Sequence, residues 1–263
     1  MLLTTKEMKE VENILAERLK VDYPNFSDDF FRRRLAYVFD KMHFHRVQDL
    51  QMALGSLVAF DEITFYLAVP QTELFRFPSF WRHLIKLLAE GDVKSIWLPS
   101  LTSYHELFSL AVALELAGRK DCTVVANVVS DRIANACRSL KVSKHDDAQN
   151  RSNFERLETQ AAYDDFIVKT PDGFSLRDGL LANVSFRNGW FINCPDEKTY
   201  DAVICRDVML CYNEKLTRQA SAKLVDSLAA PGSILGIGVM ERPLGQESRL
   251  DAEHSPDGLY RLI

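Results

Sequence analysis

The sequence contains no apolar run near the roughly 20 residues that a membrane-spanning helix needs. Its N-terminal stretch alternates acidic and basic residues and lacks the apolar segment of a signal peptide. Together, these absences predict a cytoplasmic protein without membrane insertion.

Cysteine is also scarce, since the five thiols are scattered, odd in number and include no Cys-x-x-Cys pair. This usage is typical of reduced, buried thiols and argues against a disulfide framework. The nearest pair of histidines, His43 and His45, is two residues apart, so the two rings do not share a helix face. The sequence therefore predicts no metal site.

Basic residues are not in excess, because the formal net charge is −5 and the isoelectric point is about 5.7. That balance argues against a broad nucleic-acid-binding surface, and we predict no nucleic-acid partner. The composition is otherwise that of a globular protein, with 47% hydrophobic and 26% charged residues. One local basic run is present on a predicted helix: Arg32, Arg33 and Arg34.

Hydrophobic periodicity divides the chain into two parts. Residues 1–90 predict an N-terminal helical domain with its linker, because apolar residues recur there at helical spacing. Residues 91–263 alternate short apolar strands with helices, which indicates an α/β fold with a doubly wound, mostly parallel sheet. Two short alternating runs around a Pro-Asp-Gly turn predict a β-hairpin insertion at about 163–182.

Glycine is missing where this fold class usually needs it. Ligands bind beyond the carboxyl ends of the strands, where the first loop usually has glycines and the second strand ends in a ribose-binding acid. Here "WLPSLTSYHELFSLA", residues 97–111, contains no glycine. The second predicted strand ends in "ANVV", residues 126–129, without an acid.

Four segments nevertheless follow the pattern of one protein family. "QTELFRFPSFW" resembles "LTxFFRdpxxF", and "WLPSLTSYHELFSLA" resembles "WSAGCSTGEEPYSLA". "YDAVICRDVMLCYNEKLTRQ" resembles "FDLIFCRNVLIYFDxxTQ", and "PGSILGIGVMERP" resembles "PGGxLxLGHSExL". The chain thus resembles the CheR-type chemoreceptor methyltransferases, which transfer a methyl group from S-adenosylmethionine to glutamates on receptor helices. The resemblance implies a Rossmann-like methyltransferase fold with an N-terminal helical domain and a small β insertion.

The resemblance also implies which retained polar residues face the cofactor. The predicted cofactor contacts are Thr72, Arg76, Glu106 and Asp207, where the family has Asn at the last position. Arg76 is the candidate catalytic residue, or else it pairs with Glu106 or Asp207 and holds the domains together. Thr72 has a helix cap as its alternative role, and Glu106 has that of an acid favoured at a helix N-terminus.

Other cofactor positions depart from the family pattern. Tyr104 replaces the loop glycine, His105 the first of two glutamates, and Val128 the ribose-binding aspartate. Trp190 replaces an amide beside the adenine, and Cys211 replaces a tyrosine near the methyl-transfer centre. We expect the Tyr104 ring to occupy volume that the methionine part of the cofactor needs. This clash and two unmet ribose hydroxyls would weaken binding by about 3–6 kcal/mol, or roughly 10²–10⁴-fold.

These departures lead to three hypotheses for the function. The first is a binding or regulatory protein in a chemotaxis-like signalling pathway that has lost S-adenosylmethionine and recognises a protein partner, through Arg32, Arg33 and Arg34 as the family resemblance implies. The second is an active, S-adenosylmethionine-dependent protein-glutamate O-methyltransferase of chemoreceptors. The third is a sensor of another small ligand in the remodelled pocket.

Overall fold

The computed structural model describes residues 4–171, 173–195 and 198–263. The helices before the first strand are α1 Thr5–Leu19, α2 Asp28–Lys41, α3 Val47–Ala53, α4 Leu57–Leu67 and α5 Pro78–Glu90. The later helices are α6 Tyr104–Leu116, α7 Asp131–Arg138, α8 Asp147–Glu155 and α9 Glu214–Asp226. The strands are β1 Ser95–Leu98, β2 Thr123–Val128, β3 Lys141–Val142, β4 Ile167–Thr170, β5 Gly173–Leu176, β6 Val184–Asn188, β7 Ala202–Cys205, β8 Ile234–Ile237, β9 Leu250–Asp251 and β10 Leu259–Leu262.

Local sequence signals explain where α1 and α7 begin. Thr4 precedes α1, and its backbone N–H donates to the Glu7 carboxylate at 2.8 Å while the Glu7 N–H donates back to the Thr4 hydroxyl at 3.3 Å. This reciprocal pair satisfies two donors that the first helical turn cannot satisfy by itself. Ser130 caps α7, because its hydroxyl accepts from the N–H of Arg132 at 3.2 Å.

The central sheet has seven strands in the order β6-β2-β1-β7-β8-β10-β9. Strands β6, β2, β1, β7 and β8 run parallel, whereas β10 is antiparallel to both β8 and β9. The order of strands reverses between β1 and β7, which is the switch point at which open α/β sheets bind ligands. The predicted Rossmann-like, doubly wound and mostly parallel sheet is confirmed.

Two buried cores cover the two faces of this sheet. Ile96 and Leu98 of β1 point into one core, together with α5, α6 and α7. Trp97 points into the other core, which contains α9 and the apolar faces of α1 to α4. Successive strand residues face opposite sides of a sheet, so this alternation places apolar side chains in both cores.

Helix α5 lies before the predicted domain boundary at residue 90 and packs on the sheet. Phe80, Trp81 and Leu84 of α5 are fully buried in the same core as Ile96 of β1. The apolar stripe of α5 is therefore covered by the sheet face that α6 and α7 also cover. The division of the chain at residue 90 stays a prediction.

The β insertion is a three-stranded sheet in the order β3-β5-β4. The predicted hairpin corresponds to β4 and β5, which pair antiparallel with Thr170 opposite Gly173. Asp172 of the predicted turn lies outside the described residues. The third strand, Lys141–Val142, pairs with Phe174 and Ser175, so the insertion draws on chain well before its predicted start at 163.

Within the described ranges, no helix is long and apolar enough to cross a membrane. The same residues contain no group of three or more His, Cys, Asp or Glu side chains that could hold a metal ion.

Candidate functional site

A cavity of about 330 Å³ lies at the switch point, between the carboxyl ends of β1, β2 and β7 and helix α2. Its volume is at the lower end of the range for small-molecule sites, about 300–1,000 Å³. Thr102 follows β1, Val129 follows β2 and Asp207 follows β7, so the segment after each of these strands contributes to the wall. A second cavity, of about 470 Å³, lies by Cys122 and Val184, where β2 and β6 begin. Because ligands of this fold class bind at the opposite ends of the strands, the smaller cavity is the candidate site.

Aromatic side chains form much of the cavity wall. Tyr23, Phe30 and Phe31 come from α2 and the turn before it. Trp190 and Tyr212 come from the sheet domain, and the Trp190 indole N–H donates to the Tyr212 hydroxyl at 3.2 Å. Since this bond uses the only donor of the indole, the Trp190 ring presents an apolar surface to the cavity. Trp190 therefore lies on the cavity wall, and its predicted place beside an adenine stays a prediction.

Arg34 lines the cavity, but its guanidinium caps α4. It donates to the carbonyl of Leu67 at 3.3 Å, to that of Ala68 at 2.5 Å, and to that of Tyr66. These carbonyls lie at the end of α4, where the helix has no backbone donors left for them. Arg34 is therefore held against α4, whereas Arg33 is exposed and Arg32 half-buried. The predicted role of the three arginines in partner binding stays a prediction.

Arg206 and Glu106 form a buried ion pair behind the cavity. The guanidinium of Arg206 is fully buried and lies 3.5 Å from the Glu106 carboxylate. It also donates to the backbone carbonyl of Arg76 at 2.8 Å and stacks over the Phe80 ring, 4.1 Å from its centre. Burial raises the pKa of Glu106, and the neighbouring Arg206 opposes that shift. Glu106 is not among the cavity-lining residues, so the structure assigns it to this pair.

Arg76 and Asp207 face each other across the polar end of the cavity. The Arg76 guanidinium is 38% exposed and approaches the Asp207 carboxylate to 4.0 Å. That separation is too long for a hydrogen bond, so the two groups interact through charge alone. Asp207 adopts a left-handed backbone conformation with φ of 60°, and its Oδ2 is buried with no hydrogen-bond partner among the described residues. Of the two ion partners that the sequence allows for Arg76, the structure places Asp207 beside it.

Glu241 holds the loop that contains Asp207, and the sequence reasoning did not single it out. Its carboxylate accepts backbone N–H bonds from Asp207 at 3.0 Å, Met209 at 2.5 Å, Leu210 at 3.2 Å and Gly238 at 2.6 Å. Burial raises the pKa of Glu241 to about 7, against the effect of these donors. The sequence did contain a signal for Glu241, because it is the glutamate of "GIGVMERP", which matches the family pattern.

Tyr104 lies outside the cavity. It is the first residue of α6, and its hydroxyl accepts from the N–H of Ser143 at 3.0 Å. Its ring stacks on His105, with 3.9 Å between centroids, and contacts Phe108 at 5.0 Å. These contacts direct the side chain toward the β insertion and leave the cavity open. The Tyr104 ring therefore takes up no volume in this cavity, and its predicted clash with the methionine part of the cofactor stays a prediction.

The end of β2 offers no carboxylate to the cavity among the described residues. Val128 is buried in the core that contains α7, and the adjacent Val129 lines the cavity. Asn127 accepts from the Trp97 indole at 2.7 Å and donates to Cys194, so its amide is committed to the opposite face. A ribose placed here would find valine where the family pattern has an acid.

Of the two predicted site residues Thr72 and Cys211, only Cys211 lines the cavity. Thr72 is exposed, is not on the cavity wall and does not cap α5, whose N-cap residue is Phe77, so its alternative role as a helix cap is wrong. Its predicted cofactor contact stays a prediction. The neighbouring Gln71 is buried and lines the cavity instead. Cys211 does line the cavity, and burial raises the pKa of its thiol to about 12.

A match to a protein-family model identifies the family of this chain. The model for the CheR methyltransferase, SAM binding domain, matches residues 71–258, which include the whole sheet up to its last strand. The chain belongs to the CheR methyltransferase family. Two curated relatives are the chemotaxis protein methyltransferases of Listeria monocytogenes, 24% identical over 220 residues, and of Listeria innocua, 25% identical over 220 residues. Each match covers 81% of this CheR-family chain and 80% of the relative.

Solved structures with some likeness to this chain are also methyltransferases by name. One is an O-methyltransferase family protein from Burkholderia thailandensis, 12% identical with a TM-score of 0.37, covering 88% of this chain and 52% of that chain. Another is magnesium protoporphyrin IX methyltransferase from Synechocystis PCC 6803 with bound SAH, 17% identical with a TM-score of 0.34, covering 77% of this chain and 70% of that chain. TM-scores this low add nothing to the fold assignment, which rests on the strand order.

Proposed function

We propose that this CheR-family chain does not use S-adenosylmethionine and acts as a non-catalytic binding or regulatory protein in a chemotaxis-like signalling pathway. The strongest support is the end of β2, where Val128 is buried in the core and Val129 lines the cavity. An unmet ribose hydroxyl costs about 1–3 kcal/mol in a site that cannot hydrogen-bond it. Two such hydroxyls cost about 2–6 kcal/mol, which is roughly 30-fold to 10⁴-fold in affinity.

The charge of the cavity wall supports the same proposal. Arg34, Arg76 and Arg206 line it, and Asp207 is the one carboxylate among the described lining residues, while Glu106 pairs with Arg206 behind the wall. S-adenosylmethionine carries a sulfonium and an ammonium group against one carboxylate, so it is a net cation. Like charges brought together in a partly desolvated site repel one another more strongly than they do in water.

Calorimetric titration tests the loss of the cofactor. We expect neither S-adenosylmethionine nor its demethylated product to bind the purified chain with a Kd below about 100 µM, a binding free energy of about −5.5 kcal/mol. The Listeria monocytogenes relative, titrated in the same buffer, is the positive control. Saturable 1:1 binding to this chain below that limit would contradict the proposal.

The partner we propose is a chemoreceptor or another signalling protein, met in the cytoplasm. Arg32 and Arg33 of α2 remain available for an acidic partner surface, since only Arg34 is committed to capping a helix. Charge reversal of both in one variant should weaken binding to a purified chemoreceptor cytoplasmic fragment at least 10-fold, and raised salt should weaken it further. Arg156→Glu, at an exposed position on the sheet domain, is the matched control and should bind like the unaltered chain. Equal losses in both variants would remove α2 from the interface.

A second candidate function is an active protein-glutamate O-methyltransferase, and the open cavity favours it. Because Tyr104 points toward Ser143, volume remains beside Arg76 for a cofactor. This candidate predicts transfer of labelled methyl groups to a chemoreceptor fragment and release of methanol in base. Arg76→Glu should abolish that transfer, whereas Arg156→Glu should not. If the unaltered chain labels no receptor glutamate, this candidate fails.

A further inference from the structure

We infer that the cavity binds a small aromatic or branched apolar carboxylic acid of about ten to fifteen non-hydrogen atoms. This inference rests on the proposed function, because it assigns a different ligand to the volume that S-adenosylmethionine would need. The size follows from the cavity volume of about 330 Å³, which equals that of about ten water molecules in the liquid.

The body of such a ligand would lie against an apolar wall. Phe30 and Phe31 approach from α2, and Trp190 with Tyr212 approaches from the sheet domain. The indole N–H of Trp190 donates to the hydroxyl of Tyr212, so the indole demands no polar acceptor from the ligand. Flat apolar rings between two aromatic surfaces gain both burial and favourable ring contacts.

The mouth of the cavity is also apolar, which suits the entry of such a molecule. Val69 is 46% exposed and Leu210 is 54% exposed, and both line the cavity. Large aliphatic side chains at a cavity rim lose their contact with water when a ligand covers them. A nucleoside, with its polar ribose and base edges, would gain less from this rim.

The anionic end of the ligand would meet Arg76. Of the three lining arginines, Arg34 donates to backbone carbonyls of α4, and Arg206 is fully buried beside Glu106. The Arg76 guanidinium is 38% exposed, and its nearest carboxylate, Asp207, is 4.0 Å away. This guanidinium lies 5.1 Å from the centre of the Phe77 ring, and among the described residues its N–H groups have no hydrogen-bond acceptor. They can therefore donate to a ligand carboxylate in the two-pronged geometry that arginine favours.

Asp207 does not offer an equivalent site to a cation. Its Oδ2 is sealed from solvent, and its backbone and side chain sit in the loop fixed by Glu241. The side chain of Arg76 lies on the accessible side of this pair. The cavity therefore selects against positively charged ligands and, through Arg76, for carboxylates.

The test uses 1-naphthylacetate and its neutral amide, 1-naphthylacetamide, which share shape and size. Titration of the purified full chain should give saturable binding of the acid with a Kd between about 10 µM and 1 mM, the range for a ligand of this size. The amide should bind at least 10-fold more weakly. Arg76→Gln should remove this preference for the acid, whereas Arg156→Gln, which removes a charge from an exposed position of the sheet domain, should keep it. Val129→Phe should weaken both ligands, because it fills the cavity beside β2.

Three results would overturn the inference: no binding of the acid at 1 mM, equal binding of acid and amide, or an undiminished preference in Arg76→Gln. Circular dichroism and melting temperature of each variant show whether it is folded, and only folded variants are compared. The same titrations include S-adenosylmethionine and its demethylated product. Binding of those compounds defeats the proposed function, whereas failure of the acid alone leaves the proposed function intact and removes only this ligand class.

Discussion

His105 provides a quantitative test of how this structure responds to acid. Its side chain is buried, its Nδ1 lies 3.2 Å from the Ser103 hydroxyl, and its Nε2 has no hydrogen-bond partner among the described residues. Burial lowers the pKa of His105 to about 4, although Asp146 nearby opposes the shift. In the unfolded chain the same ring has a pKa near 6.5. Protonation is thus easier in the unfolded state, so His105 stabilises the fold above pH 6.5 and that contribution is lost as the pH falls toward 4.

The expected loss follows from the two pKa values. Between pH 7 and pH 4.5, linkage gives a fall of about 2.5 kcal/mol in the free energy of unfolding from this group alone. That is a large part of the 5–15 kcal/mol that typically holds a domain together. Other carboxylates and histidines also titrate in this range, so the measured quantity is the difference between the unaltered chain and His105→Gln.

Urea denaturation at pH 7, 5.5 and 4.5 measures that difference. The stability advantage of the unaltered chain over His105→Gln should shrink by about 2.5 kcal/mol across this range. His145→Gln removes a histidine from an exposed position and is the matched control, whose difference should stay within about 0.5 kcal/mol. The difference in unfolding free energy between the unaltered chain and His105→Gln could instead stay as constant with pH as that for His145→Gln. In that case the ring is not buried in a neutral form, and the described packing of α6 against the β insertion is wrong.

Three further substitutions test the loops that shape the cavity. Glu241→Ala should lower the free energy of unfolding by about 3–6 kcal/mol in urea denaturation, because four backbone N–H groups lose their acceptor; a loss below 1 kcal/mol would contradict that role. Arg34→Gln should lower it by about 1–3 kcal/mol through the lost helix cap, while Arg33→Gln should change it by less than about 0.5 kcal/mol. Gly238→Ala should lower the melting temperature, since an added Cβ would lie 2.3 Å from the Asp207 Oδ1 in a loop fixed by four hydrogen bonds; an unchanged melting temperature would show that this loop can shift.

The sequence predicted the layers of this fold better than their boundaries. Alternating strands and helices indicated the parallel sheet, because period-2 and period-3.6 patterns depend only on local sequence. The pattern of α5 identified a helix but not the surface that buries it, and the helix packs on the sheet with Phe80 and Trp81. The short strand Lys141–Val142 was not predicted because two residues carry no periodicity, and only pairing with β5 makes them a strand.

Side-chain direction was the part of the site that the sequence could not predict. Arg34 stands in a basic run with Arg33, yet it turns inward because the free carbonyls of α4 lie within its reach. Tyr104 stands at the position of a loop glycine, yet its ring turns toward Ser143. Both outcomes depend on acceptors or donors that are distant in sequence, and a single chain without its fold does not reveal them.

The direction of Tyr104 changes how the departures from the family pattern act on the cofactor. A ring in the cavity would exclude any ligand of that size, whereas a ring packed on His105 and Phe108 excludes none. What distinguishes this cavity is therefore the set of groups that it presents to a ligand. These are a valine at the end of β2, an indole whose N–H already donates to another residue, and the exposed guanidinium of Arg76. A missing hydrogen-bond partner lowers the affinity only of a ligand that has a polar group at that position. A ribose would need the absent acid and an apolar carboxylate would not, so the proposed loss of S-adenosylmethionine and the proposed binding of a smaller anion rest on the same substitutions.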